Sequence, residues 1–88
     1  MTEPQDQAFI VSIPLAMQTQ MALMPAEKRQ TLLGELFRLA VQAWQERGFL
    51  PRYGAVILEF LLADCDVGIE LDAPRARLTL VSLVHGRP

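Results

Sequence analysis

Apolar and polar residues follow two rhythms along this chain. The longer one runs from Pro25 to Gly48, where Leu33, Leu36, Phe37, Ala40 and Trp44 recur at i, i+3, i+4, i+7 and i+11. That spacing lines one face of a helix. Leu32, Leu39, Val41 and Ala43 widen the stripe on both flanks, and Glu35, Arg38, Gln42, Gln45 and Glu46 mark the wet face. A surface helix needs an apolar arc of roughly 100°, and this one is broader. Either the helix is wrapped by its own sheet and loops, or one flank meets a second chain. Pro25 suits the first helical position, where its missing N–H would have no partner. Glu27 in the first turn and Arg47 in the last complement the helix dipole. Gly48 stands where a left-handed residue would stop the helix, and Pro51 hinders its continuation.

The second rhythm has a period of two. Between Ala8 and Ile13, Phe9, Val11 and Ile13 alternate with Ile10 and Ser12, which predicts a first strand ending at Pro14. From Leu15 to Met24, Met17, Met21 and Met24 fall at helical spacing and suggest a short helix or turn leading into the main one. The run AVILEFLLA, Ala55 to Ala63, is almost wholly apolar. As a strand it sets Val56, Leu58, Phe60 and Leu62 on one face and Ile57, Glu59 and Leu61 on the other. Periodicity alone does not separate a strand from a helix in so short a run; the strand is the favoured reading.

Further on, Val67, Ile69 and Leu71 alternate with Gly68, Glu70 and Asp72. A turn over Ala73 to Ala76 leads into a last strand, Leu78 to Val84, and sets Asp72 across from Arg77. In that strand Thr79, Val81 and Leu83 oppose Leu78, Leu80, Ser82 and Val84. Both faces are largely apolar, which places the strand inside the sheet or covered on its second face. The expected fold is α+β: one long helix on a small, mostly antiparallel sheet, in the order β-α-β-β-β. The alternative is β-α-α-β-β, with residues 52–64 helical. One domain is expected over residues 8–85, with tails at 1–7 and 86–88.

Composition sharpens this picture. With 88 residues, the chain buries only roughly 60–65% of its unfolded surface on folding. Yet 51% of its residues are apolar and 20% charged, a folding composition rather than a disordered one. It is rich in apolar residues for so small a monomer, which favours self-association or a bound partner. The net charge of −2 and the scattered arginines give no stripe for a phosphate backbone, so no nucleic-acid partner is expected. No apolar run approaches the roughly 20 residues of a membrane span. A single cysteine excludes an internal disulfide, and the acidic opening MTEPQDQ is unlike a secretory leader. A cytoplasmic location is the expectation.

Candidate chemistry is sparse. Cys65 lies between Asp64 and Asp66, whose charge disfavours a thiolate, so it reads as structural. His85 is the only histidine and reads as a solvated tail residue. The segment beginning at Asp64 resembles the start of a calcium loop, but its glycine falls at position five and Arg75 at position twelve, so the EF-hand pattern fails. The methionines lack the histidine or cysteine neighbours a soft metal site would want. A helix-turn-helix around Gly48 to Tyr53 fails because AVILEFLLA offers no donors for base edges. There is no P-loop, dinucleotide fingerprint or zinc-spaced Cys/His set, and no cofactor is expected. A carboxylate pair such as Glu35 with Glu59 would need the fold to bring the two together.

The expected function is therefore a non-catalytic protein-interaction module, working as a homodimer or with another protein. Phe37, Leu39, Ala43, Trp44 and Tyr53 are its candidate interface. Asp64, Asp66, Glu70 and Asp72 form a candidate acidic docking edge, unless nearby Arg75, Arg77 and Arg87 neutralise it. The alternative is a small-molecule module or minor enzyme. Its cleft would be lined by Met17, Met21, Met24 and Trp44, with Arg52 or Glu59 as the polar handle.

Overall fold

The structure, a computed structural model, describes residues 7–85. The expected tails lie outside it, except for Gln7. The elements are β1 (Ile10–Ser12), α1 (Leu15–Ala22), α2 (Ala26–Gln45), β2 (Val56–Leu62), β3 (Cys65–Asp72) and β4 (Arg77–His85). Short 3₁₀ turns occupy Arg47–Phe49 and Ala73–Arg75. The sheet runs β1-β4-β3-β2, with β1 parallel to β4 and the other two pairings antiparallel. This is the expected α+β class; α1, absent from the expected order β-α-β-β-β, is the short helix that the methionine spacing over Leu15 to Met24 suggests. Residues 56–62 are a strand, so the alternative with residues 52–64 helical does not hold. Paired to β3 from Val56 to Leu62, the strand satisfies alternate backbone groups in the ladder and lays every second side chain against the core.

Both helices lie on one face of the sheet, and the core fills the space between. From the sheet, Cys65, Val67, Ile69, Leu71, Leu78, Leu80 and Leu83 are buried; from the helical layer, Met21, Met24, Leu32, Leu36, Ala40 and Ala43. The buried stripe on α2 is thus centred on Leu36 and Ala40. Phe37, read as part of the central stripe, is 58% exposed instead. A pattern with apolar residues on both flanks leaves the centre of the arc undetermined, and the sheet selects the narrower residues.

The ends of α2 also differ from expectation. Pro25 is extended (φ −55°, ψ 146°) and precedes the helix, which begins at Ala26. Gly48 is not left-handed; the only glycine with positive φ among the described residues is Gly54, at 78°. The helix tightens into 3₁₀ geometry, with Phe49 N–H donating to the Glu46 carbonyl and Leu50 N–H to that of Arg47. Those bonds satisfy the terminal carbonyls that a left-handed glycine would otherwise serve.

β4 does lie inside the sheet, between β1 and β3. Its strict alternation does not survive. Ile69 pairs with Leu80 and Gly68 with Ser82, so Val81 is an extra residue in a bulge. Leu78, Leu80 and Leu83 consequently share the core face. Gly68 faces the bulge, and a Cβ there would clash with the Ser82 hydroxyl. The loop before β4 follows the expectation, with Asp72 opposite Arg77. The Asp72 carboxylate pairs at 2.9 Å with Arg75 rather than with Arg77. Among the described residues, no helix is long and apolar enough to cross a membrane.

Candidate functional site

The two edges of the sheet are unlike. β1 is three residues long, and Pro14 follows it closely; a short edge near a proline resists further pairing. β2 has seven residues, no proline and one charge, and no other strand of the described chain pairs with its outer side. The β2–β3 hairpin closes through Ala63 and Asp64, whose φ angles of 51° and 64° are both positive, as in a type I′ turn. In such a hairpin the flanking pair, Leu62 and Cys65, exchanges backbone bonds, and bonded positions alternate from there. Val56, Leu58 and Phe60 therefore bond inward to β3. Ile57, Glu59 and Leu61 direct their N–H and C=O groups outward.

Beside this edge lies an apolar groove. The helices cover β4 and β1 more fully than β2, and the inner row Val56, Leu58, Phe60 and Leu62 is left half-buried. Leu39, Ala43 and Gln42 of α2 form one wall, Leu58 and Phe60 the other, with Ile69, Leu71 and Leu78 below. Phe49, Leu50 and Glu46 border it near the end of the helix. The groove holds about 250 Å³. Phe49 is 91% exposed, and Tyr53, in the connector entering β2, 89%.

The five candidate interface residues divide. Leu39 and Ala43 line the groove, and Tyr53 precedes β2. Phe37 and Trp44 sit on the other flank of α2, by their helical spacing from Leu39. Trp44 meets Phe9 edge to face, ring centroids 6.5 Å apart, and Arg47 lies over it at 4.0 Å from the ring centroid. Phe49, Leu58 and Phe60 line the groove without belonging to the candidate interface. For Leu58 and Phe60 the available signal was the almost wholly apolar run Ala55 to Ala63.

The candidate acidic residues do not form an edge. Asp66, Glu70 and Asp72 belong to β3, an interior strand, and alternate with its buried residues. They look out from the face opposite the helices, while Asp64 sits in the hairpin turn. Glu59 shares that open face with exposed Ile57, Leu61 and Val84. A shallow concavity forms there around Glu59, Leu61, Asp66 and Ser82. Glu35 belongs to the helical layer, 4.0 Å from Arg38, so the sheet separates it from Glu59.

The alternative cleft is not assembled either. Met21 and Met24 are buried in the core, and neither they nor Met17 and Trp44 line the groove. Cys65 is fully buried. His85 closes β4, its backbone paired with Cys65, and is not a tail residue. No group of three His, Cys, Asp or Glu among the described residues could hold a metal ion. The chain is a two-layer α+β protein. No known protein family, curated protein or solved structure matches it.

Proposed function

We propose that this chain is a small, non-catalytic protein-interaction module acting as a homodimer, with the β2 edge and the adjoining groove as its binding surface. The observation carrying this reading is the combination of an unpaired seven-residue strand edge with a half-buried apolar row beside it. Strand addition to such an edge is a common mode of protein recognition: backbone bonds supply affinity and flanking pockets specificity. Phe49 and Tyr53 add aromatic surface of the kind enriched at binding hot spots. A small apolar ligand is the second reading, favoured by the groove itself. At about 250 Å³ the groove falls below the roughly 300–1,000 Å³ of most ligand sites.

Light scattering after size exclusion, at two protein concentrations, tests this reading. A dimer is expected at the higher concentration. Leu39→Glu, which charges the groove wall, is expected to weaken association while the far-UV spectrum stays native. A monomer at both concentrations would overturn the homodimer, and a monomer that also captures no partner from lysate would overturn the module. A thermal shift with a metabolite library tests the second reading, since a ligand at 100 times its Kd adds roughly 2.7 kcal/mol.

A further inference from the structure

Taking the chain as an interaction module, we infer that its partner is a second copy, joined by antiparallel pairing of the two β2 edges about a two-fold axis at Glu59. The strand V-I-L-E-F-L-L is alike in both directions from Glu59: Leu58 mirrors Phe60, Ile57 mirrors Leu61, and Val56 mirrors Leu62. A two-fold contact requires a surface complementary to itself. Here it sets apolar against apolar on both faces of the joined sheet, at every position but the centre.

The backbone fixes the register. Ile57, Glu59 and Leu61 carry the outward N–H and C=O groups, so pairing must match these positions with one another. With the axis at Glu59, Ile57 of each copy meets Leu61 of the other, and Glu59 meets its own copy. Moving the axis to Leu58 sets Leu61 against Ala55, outside the strand; moving it to Phe60 sets Ile57 against Ala63, in the turn. Only the axis at Glu59 uses every free group of the edge within β2.

The same geometry limits assembly to two copies. The joined eight-stranded sheet would be bounded on both sides by β1, the short edge next to Pro14. The edge is open to a partner: Ile57 is 62% exposed and Leu61 70%. The two Glu59 carboxylates oppose each other on the open face, and like charges directly opposite weaken a pair. The dimer is therefore held below its greatest affinity and can exchange.

Cysteine cross-linking on the full chain tests both partner and register. Glu59→Cys is expected to form a disulfide-linked dimer under mild oxidation, because paired positions across a ladder stand roughly 5.5 Å apart, within disulfide reach. Ile57→Cys, displaced from the axis, is expected to remain uncross-linked. Native Cys65 is fully buried and does not compete. Glu59→Gln is expected to tighten the dimer by roughly two- to fivefold in sedimentation. Self-cross-linking of Ile57→Cys would overturn the register. A wild-type dimer in which neither cysteine cross-links would place the interface elsewhere, overturning this inference while leaving the interaction module standing. Monomeric wild type and Glu59→Gln, with capture of a different protein through the same edge, would overturn the second copy as partner. Monomers that capture nothing would overturn the module as well.

Discussion

The backbone N–H of Phe9 donates to the carbonyl of Ala40 across 3.1 Å, tying the residue before β1 to the C-terminal half of α2. So close an approach between layers requires a small residue, and Ala40 is fully buried there. Ala40→Leu is expected to separate the layers and destabilise the fold by roughly 1–3 kcal/mol. Ala40→Gly keeps the approach and costs about 1 kcal/mol through helix propensity. Urea denaturation of both variants checks the order, and an Ala40→Leu protein as stable as wild type would contradict it.

Leu36 and Phe37 are neighbours with opposite environments. Leu36→Ala removes a fully buried side chain and is expected to cost about 2–5 kcal/mol. That is a large share of the roughly 5–15 kcal/mol typical of a folded domain. Phe37→Ala is expected to change stability by under about 1 kcal/mol. Equal losses in thermal melts would show that the buried stripe of α2 is centred elsewhere.

These two residues also show where the sequence is informative. Periodicity located α2 because an amphipathic helix repeats its pattern for several turns, and the hairpin partners Asp72 and Arg77 followed from loop length. The rotation of α2 was not legible, because Leu33, Phe37 and Trp44 are as apolar as Leu32, Leu36 and Ala43, and only the facing sheet distinguishes them. The bulge at Val81 escaped for a related reason: it depends on Gly68 in another strand. The groove was hidden for a third. Which strand becomes an edge is a property of topology, and β1 joins β4 through a long-range parallel pairing that no local pattern records.

Gly34 and Asp64 are each poorly suited to their backbone. Gly34 lies within α2 with open space where a Cβ would stand, so Gly34→Ala is expected to stabilise the protein by roughly 0.5–1 kcal/mol. Asp64 holds φ at 64° in the hairpin turn, a conformation aspartate tolerates better than most residues with a Cβ but that suits glycine best. Asp64→Gly is expected to gain about 0.5–1 kcal/mol. Chemical denaturation of the single and double variants should give nearly additive gains, as the sites are separate.

Gly68 and Ser82 meet across the β3–β4 ladder, where a Cβ at Gly68 would force the Ser82 hydroxyl to turn aside and would bring Val81 close. Gly68→Val is expected to cost roughly 1–3 kcal/mol through steric overlap. Ser82→Gly in the same protein should recover part of that loss. A double-mutant cycle measures the coupling, expected at roughly 0.5 kcal/mol or more, and zero coupling would separate the glycine from the bulge.

The pairing of β1 with β4 dictates an order of assembly. α2 and the β2–β3 hairpin are local in sequence and can form early, but the seat for both helices includes Leu78, Leu80 and Leu83 of the last strand. Until that strand arrives, β1 has no neighbour and the hairpin presents two unpaired edges. Closing such a distant contact is slow relative to local steps. A nascent chain therefore stays vulnerable until β4 has left the ribosome, and a copy meeting it in that interval would find two strand edges to join instead of one.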